Sequence, residues 1–128
     1  LFRSEYEPKR LICLFGAGGN RPKVRRYEMG EVSGNLADLS VITADNSRFE
    51  DVHDILNDIK TGLAKTTGKY LEIPDRREAI RWGLENAQEG DIIVLAGKGH
   101  EDYQEIRGKK HPFDERVVIR ELLEEMQG

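Results

Sequence analysis

Residues 11–19 read LICLFGAGG, an uninterrupted apolar run that leads directly into a glycine-rich turn. Such a run is typical of a strand buried on both faces, as the strands of parallel sheets are. Residues 39–44 and 92–96 have the same β-rich character, and residues 70–73 alternate as a short strand does. The sequence therefore predicts four strands, and we expect the one at residues 92–96 to be the most buried.

Helices are predicted between these strands. Residues 26–37 favour a helix, which Gly30 and Gly34 weaken. Asp51 is placed to cap the next helix, and Asp75 opens a capping-box arrangement for the third. Apolar residues at helical spacing in the second and third helices are expected to face the core: Val52, Ile55, Leu56, Ile59, Leu63, Ala79, Ile80, Leu84 and Ala87.

The last part of the chain predicts a hairpin and a helix. Residues 103–106 and 110–113 can pair across residues 107–109, and Asp114 can cap the helix that follows. The inward-facing residues of that helix are expected to be Val118, Leu122 and Met126. Strands that alternate with amphipathic helices indicate an α/β domain with a mostly parallel sheet, here with a C-terminal β-hairpin.

Length and composition limit the class of protein. The chain has 128 residues and a formal net charge of −4, from 20 basic and 24 acidic side chains. This length fits one domain, and the mild acidity argues against nucleic-acid binding, which favours strongly basic domains. No apolar run approaches the roughly 20 residues of a membrane span, and the first residues lack the apolar stretch of a signal peptide. We therefore expect neither nucleic acid nor membrane as a partner.

Cys13 is the only cysteine of the chain, so no internal disulfide can form. A reducing cytoplasm is the simplest location for such a chain. Because Cys13 lies within an apolar strand, we expect an inert core thiol. Leu1 stands where an initiator Met would, which makes the start of the sequence look like a cut point.

Three polar segments follow predicted strands: the glycine turn (residues 16–21), the arginine loop (residues 45–48) and the histidine loop (residues 97–102). In parallel α/β sheets, ligands bind beyond the carboxyl ends of the strands. The three segments are therefore expected to meet in one shared site.

The spacing of the glycine turn disfavours a nicotinamide site. The turn reads G-x-G, but Arg21 occupies the position of the third glycine of the dinucleotide fingerprint. A tight turn that needs glycine for positive φ is the structural alternative. Arg21, Lys23, Arg25 and Arg26 put four cations within six residues. They can bind phosphate or carboxylate, or they can form a solvated face, the commoner outcome for such a run.

The arginine loop combines Asp45, Asn46, Ser47 and Arg48. Arginine presents a planar fork that matches a carboxylate, and aspartate supplies an acceptor for an ammonium group, so the loop suits an α-amino acid. An Asx-turn with a helix cap would explain the first three residues equally well, but it does not require Arg48. Both interpretations stay open from the pattern alone.

The histidine loop places a cation, an imidazole and carboxylates on a flexible turn. His100 can be a general base, a ligand or a turn residue, and a metal site is disfavoured because His53 and His111 lie in unrelated contexts. The chain contains no G-x-x-x-x-G-K-[ST] loop for nucleotide phosphates. These residues alone therefore indicate a small-molecule site without determining its ligand.

The order of the motifs matches one family. The chain resembles the C-terminal domain of the Mur ligases from about residue 9 to about residue 123. Four stretches carry the resemblance: LFGAGGNR at 14–21, TADNSR at 43–48, VLAGKGHEDYQ at 94–104 and PFDER at 112–116. Within the family, it is most similar to members that add meso-diaminopimelate to UDP-N-acetylmuramoyl-L-alanyl-D-glutamate in bacterial cell-wall synthesis.

The resemblance implies a Rossmann-like, three-layer domain over residues 1–128, excised from a three-domain ATP-dependent amide ligase. The domains that bind the uridine nucleotide and ATP would be absent from this chain. In the whole enzyme, ATP with Mg²⁺ would convert the D-glutamyl side-chain carboxylate to an acyl phosphate, which the incoming amine attacks. The isolated domain is expected to be inactive and to bind neither cofactor nor metal by itself.

The resemblance also implies residue roles. Arg21 and Arg48 would hold carboxylates of the diamino acid, with Asp45 and Asn46 as neighbouring polar contacts. The remaining residues implied in the site are Gly97 and Glu101 at the far amino-acid end, Lys23 and Arg25 as phosphate or nucleotide contacts, and Lys98, Gly99 and His100 as the supporting loop.

This chain departs from the family pattern in three places, one of which is the stretch 23–27, where Lys-Gly-Lys-Arg-Pro appears as Lys-Val-Arg-Arg-Tyr. Ser47 replaces a proline and Asn20 replaces an aspartate, so Arg48 is expected to be held less rigidly and one charge is lost. The retained Arg48 favours diaminopimelate, whose second carboxylate needs a cation. Two alternatives stay open: the domain of a lysine-adding or other Mur-type ligase, and a stand-alone amino-acid- or nucleotide-binding module without catalysis.

Overall fold

The structure is a computed structural model that describes residues 10–19, 21–96, 103–107 and 109–127. Leu1, Asn20 and the histidine loop lie outside these ranges. The strands of the described chain are β1 (Arg10–Phe15), β2 (Leu39–Ile42), β3 (Lys69–Glu72), β4 (Asp91–Ala96), β5 (Tyr103–Ile106) and β6 (Lys109–Pro112). Its helices are α1 (Val24–Leu36), α2 (Val52–Leu63), α3 (Arg76–Asn86) and α4 (Glu115–Gln127).

Four strands form a parallel sheet in the order β3-β2-β1-β4. The apolar run that opens the sequence is therefore an inner strand: Phe15 pairs with Ile42 of β2 on one side and with Ala96 of β4 on the other. Three strands thus end at the same edge of the sheet, side by side. The strand order reverses between β1 and β4, and such switch points are where open α/β sheets bind ligands.

Side chains of β1 alternate between two separate cores. Ile12 and Leu14 pack with α3 and α4 on one face, whereas Phe15 packs with α1 and α2 on the other, with Cys13 beside it. The sheet is thus covered by helices on both faces, and β5 and β6 form a separate antiparallel pair. The predicted three-layer α/β fold with a mostly parallel sheet and a C-terminal hairpin is confirmed.

All three predicted aspartate caps are confirmed. Asp51 accepts a hydrogen bond from the backbone N–H of His53 at 2.8 Å, and Asp75 accepts one from that of Glu78 at 3.1 Å. Asp114 caps α4 through the N–H of Arg116 at 3.0 Å. These bonds satisfy donors that the first turn of a helix leaves unpaired, so the sequence located the starts of these helices correctly.

Three burial predictions are wrong. Ala87 follows the end of α3 in an extended conformation and is exposed, and Met126 is 43 % exposed in the last turn of α4. Strand β4 is only partly buried along its whole length, because it lies at one end of the described four-stranded sheet. The most buried strand segments belong to β1 and β2 instead.

An apolar groove of about 630 Å³ lies between α1 and the neighbouring strands β1 and β4. Its lining includes Leu11, Cys13, Val94, Ala96, Met29 and Leu36. Cys13 is therefore half-buried at the floor of a groove rather than enclosed in the core. Among the described residues, no helix is long and apolar enough to span a membrane.

Cys13 should react slowly with iodoacetamide at pH 7.5. Burial raises the pKa of its thiol, and a hydrogen bond with Ser33 only partly opposes this shift. Because the thiolate is the nucleophile, a raised pKa leaves less of it at neutral pH, and the rate should climb only at more alkaline pH than for free cysteine. Mass spectrometry against the urea-unfolded chain measures the difference; equal rates in the folded and unfolded chains would contradict the expectation.

Candidate functional site

The glycine turn and the arginine loop are in direct backbone contact. The N–H of Gly19 donates to the carbonyl oxygen of Asn46 at 2.6 Å, and a Cβ atom added to Gly19 would lie 1.8 Å from the carbonyl oxygen of Ser47. Such an approach leaves no room for a side chain at Gly19. The two segments, which follow the adjacent strands β1 and β2, therefore form one surface, as the sequence predicted.

Arg48 has a backbone conformation that non-glycine residues rarely adopt, with φ at 55°. The turn around it is closed by a hydrogen bond from the N–H of Glu50 to the carbonyl oxygen of Ser47 at 3.0 Å. Its guanidinium Nη1 donates to the carbonyl oxygens of Gly19 at 3.0 Å and Asn46 at 3.3 Å. These bonds aim the side chain of Arg48 back over the glycine turn.

Two cationic side chains approach Gly18 from the same direction. A Cβ atom built on Gly18 would lie 2.8 Å from Nη1 of Arg48 and 3.6 Å from Cγ of Arg21. Arg21 is exposed and Arg48 is half-buried. Two guanidinium groups at one strand edge can bind carboxylate or phosphate oxygens through paired hydrogen bonds.

Asp45 and Asn46 lie beneath this surface, with 8 % and 3 % of their area exposed. The carbonyl oxygen of Asp45 accepts a hydrogen bond from Nε2 of Gln104 at 3.3 Å. Both residues lie in the same loop as Arg48. The structure thus brings together four of the residues implied in the amino-acid site: Arg21, Asp45, Asn46 and Arg48.

The hairpin holds the arginine loop from its other side. The N–H of Arg107 donates to the carbonyl oxygen of Arg48 at 2.5 Å, and Arg48 and Ile106 form an isolated parallel bridge. Together with the bond from Gln104, these contacts anchor the loop to β5. No sequence pattern predicts this docking, because it joins segments nearly 60 residues apart through hydrogen bonds to backbone atoms.

The run of four cations does not act as one unit. Arg21, Lys23 and Arg25 are exposed, whereas Arg26 is 1 % exposed. The solvated-face interpretation is therefore wrong for Arg26. It shares a buried helix face with Gly30, Ser33 and Gly34. This spacing was visible in the sequence, but no apolar residue marked it.

Arg26 lies between two carboxylates. Its Nη2 donates to Oε1 of Glu50 at 2.6 Å and to the carbonyl oxygen of Gly18 at 3.2 Å, and its Nη1 donates to Oδ2 of Asp58 at 2.7 Å. Burial alone would lower the pKa of Arg26, but the hydrogen bonds to Glu50 and Asp58 outweigh it and raise the pKa. The guanidinium is thus a permanent charge inside the domain.

A second buried arginine braces the strand ends from the opposite face of the sheet. Arg76, 1 % exposed, donates to the carbonyl oxygens of Ala44 at 3.0 Å and Ala96 at 3.2 Å, and to Oε2 of Glu115 at 3.0 Å. It therefore connects the residues that precede the arginine loop and the histidine loop. Sequence reasoning missed Arg76, although it shares the buried face of α3 with Ala79 and Ile80.

The histidine loop lies outside the described residues. The predicted residues that lie outside the described part of the chain are Gly97, Lys98, Gly99, His100 and Glu101. Their roles stay predictions. In the described ranges, no group of three or more His, Cys, Asp or Glu side chains is placed to hold a metal ion.

Comparison with known proteins identifies relatives of this chain. The family described as "Mur ligase, glutamate ligase domain" matches residues 1–99. The UDP-N-acetylmuramoyl-L-alanyl-D-glutamate--2,6-diaminopimelate ligase of Caldanaerobacter subterraneus subsp. tengcongensis is 52 % identical over 123 residues, which are 96 % of this chain and 26 % of that protein. The protein of the same name from Alkaliphilus metalliredigens is 51 % identical over 116 residues, or 91 % of this chain and 24 % of the relative.

The fold matches a solved structure. A UDP-N-acetylmuramoyl-L-alanyl-D-glutamate--2,6-diaminopimelate ligase superposes with a TM-score of 0.88 and 42 % sequence identity, over 94 % of this chain and 25 % of that chain. The chain thus spans about a quarter of the length of the relatives that it matches.

Proposed function

This chain belongs to the Mur ligase family, whose glutamate ligase domain it matches, and from that membership we propose that it is the amino-acid-binding, C-terminal domain of a longer ligase. The proposed enzyme adds meso-diaminopimelate to UDP-N-acetylmuramoyl-L-alanyl-D-glutamate. Residues 1–128 would form the third of its domains. Mur ligases are ATP-dependent amide ligases, and the relatives named for this reaction share about half of their aligned residues with the chain.

The convergence of Arg21 and Arg48 over Gly18 is the observation that carries the proposal. meso-Diaminopimelate has a carboxylate and an ammonium group at each end, so it needs two cationic contacts where lysine needs one. Guanidinium groups bind carboxylates through two parallel hydrogen bonds. Arg48 is proposed to bind one carboxylate of the diamino acid, with Arg21 beside it.

Asp45 and Asn46 are proposed to complete the polar wall next to the arginines. Gly97 and Glu101 are proposed to receive the far amino-acid end, supported by Lys98, Gly99 and His100; these assignments rest on the family motif A-G-K-G-H-E-D-Y-Q at residues 96–104. A carboxylate at Glu101 would pair with the distal ammonium group.

We propose no complete binding site for ATP and Mg²⁺ on this chain. It lacks a phosphate-binding loop, and its described residues offer no cluster of carboxylates for a cation. We therefore propose that the remainder of the longer protein holds both, while this domain binds and orients the diamino acid so that one amine meets the activated D-glutamyl carboxylate. Lys23 and Arg25, which are exposed at the start of α1, are proposed to contact phosphate in the closed enzyme. A cytoplasmic location is proposed for the whole protein.

The test is a ligation assay on the full-length protein with UDP-N-acetylmuramoyl-L-alanyl-D-glutamate, ATP and either meso-diaminopimelate or L-lysine. We expect turnover with diaminopimelate and little with lysine, measured as amide product by chromatography. Preferential turnover of lysine would assign the chain to a lysine-adding ligase. Absence of ligation, combined with amino-acid binding by the isolated chain in calorimetry, would favour a stand-alone binding module.

A further inference from the structure

Arg26 joins three separate segments of the chain beneath the candidate site. Its guanidinium donates to Gly18 in the glycine turn, to Glu50 two residues after the arginine loop, and to Asp58 on α2. With 1 % of its surface exposed, Arg26 cannot touch a ligand that the surface arginines bind. Any effect on the ligand must therefore pass through the segments that it holds.

Those segments carry the two surface arginines. Gly18 lies three residues before Arg21 and adjoins Gly19, whose carbonyl oxygen accepts a hydrogen bond from Arg48 at 3.0 Å. Glu50 closes the turn that contains Arg48. Arg26 thus sets the spacing between the glycine turn and the turn around Arg48 from below.

Arg26 is better suited to holding neighbouring segments in fixed positions than to raising the stability of the fold. A guanidinium buried between two carboxylates adds little to the stability of a fold, because the cost of removing the charged groups from water offsets their mutual attraction. Its Nε is buried without a hydrogen-bond partner among the described residues. The planar guanidinium of arginine has five N–H donors and can bind three acceptors at fixed angles. The ammonium group of lysine cannot reproduce this arrangement.

We infer that Arg26 is a positioning residue for amino-acid recognition: it fixes the separation of Arg21 and Arg48 without contacting the substrate. The inference rests on the proposed function. Part of the affinity for the substrate would then depend on Arg26, although the glycine turn lies between Arg26 and the proposed ligand.

The test compares Arg26→Lys, Glu50→Gln and the double variant Arg26→Lys/Arg48→Ala in the full-length ligase. Arg26→Lys should raise the KM for diaminopimelate by about tenfold or more, because a guanidinium that is moved away from its carboxylate loses the paired hydrogen bonds, and about 1.4 kcal/mol of lost binding is tenfold in affinity. The KM for ATP and the kcat should change less than about threefold. Glu50→Gln, which keeps the side-chain shape and leaves Asp58 in place, should show the same pattern more weakly. Arg81, a half-buried arginine of α3 that is ion-paired with Glu125 of α4, supplies the control variant Arg81→Gln.

The double variant separates positioning from general support. If Arg26 acts through Arg48, Arg26→Lys should add less than about twofold to the KM of Arg48→Ala, since coupled residues are not additive. The inference would be overturned by any of three results: additive effects of the two substitutions on the KM for diaminopimelate, an unchanged KM for diaminopimelate in Arg26→Lys, or the same rise in KM for every substrate. If the wild-type enzyme ligates no diamino acid, the proposed function itself fails; if it does so and the variants behave like wild type, only the role of Arg26 fails.

Discussion

Replacing Arg48 with alanine should raise the KM for meso-diaminopimelate by about 30-fold to several thousand-fold in the full-length ligase. Removing one partner of a buried, hydrogen-bonded charge pair costs about 2–5 kcal/mol, and each 1.4 kcal/mol is about tenfold in affinity. Arg48→Lys should fall between wild type and alanine, because it keeps the charge but loses the fork. Steady-state kinetics with varied diamino acid measure the change.

The substrate comparison makes the Arg48 prediction specific. If Arg48 binds the second carboxylate, the preference for diaminopimelate over lysine should collapse in Arg48→Ala, because lysine has no such group. Arg120→Ala, which removes an exposed arginine from α4, is the matched control and should keep both KM values. A preference for diaminopimelate that survives in Arg48→Ala would place the second carboxylate elsewhere.

Folding of the Arg48 variant can be checked separately. A φ of 55° is about as unfavourable for alanine as for arginine, so the substitution does not change the backbone strain at residue 48. The bonds that the side chain loses include two to backbone carbonyls, each worth about 0.5–1.5 kcal/mol. A modest fall in Tm with a large rise in KM is therefore the expected combination.

Gly62→Ala should lower the free energy of unfolding by about 2–3 kcal/mol, toward the upper end of the cost of overpacking. Helices α1 and α2 touch through their backbones: a Cβ atom at Gly62 would lie 2.0 Å from the carbonyl oxygen of Tyr27, and one at Gly30 would lie 2.2 Å from that of Ile59. Backbone cannot rotate away as a side chain can, so the helices must separate. The gain in helix propensity from glycine to alanine, about 1 kcal/mol, offsets only part of this cost.

Gly83→Ala is the matched control for Gly62→Ala. Gly83 also lies within a helix and is buried, but its added Cβ atom would meet only Cδ1 of Ile93, at 3.6 Å, which is an ordinary contact. The same substitution should therefore stabilise the chain by up to about 1 kcal/mol. Urea unfolding of both variants tests the pair; a similar change in both would show that helix propensity, and not the α1–α2 approach, governs these sites.

The pattern of apolar residues predicted the elements of this fold well. The runs at residues 11–15, 39–44 and 92–96 each contain a strand, and the aspartates at 51, 75 and 114 each cap a helix. These features are local, since a strand needs only its own apolar side chains and a cap needs only its next few N–H groups. The wrong burial predictions for Ala87 and Met126 lie at helix ends. The apolar spacing continues to Ala87 after α3 has ended, and it continues to Met126 where α4 no longer contacts the core.

The candidate site was predictable in its location and in its exposed arginines, but not in its construction. Parallel strands bring their carboxyl ends to one edge, so the glycine turn and the arginine loop had to be neighbours once the strands were recognised. Which cation of the run at 21–26 enters the interior was decided by the packing of α1 against α2. That helix face consists of Arg26, Gly30, Ser33 and Gly34, and no apolar side chain marks it in the sequence.

By itself, the sequence determined the α/β class, the helix caps, the family motifs and the presence of polar segments after the strands, because these depend on residue type and short-range spacing. Only the tertiary structure decided that Arg26 is buried under the glycine turn and that β5 holds Arg48 from behind. Both arrangements join atoms far apart in the chain, through a buried ion pair in one case and backbone hydrogen bonds in the other. Such contacts form only after the sheet and its two helical layers have brought the segments together.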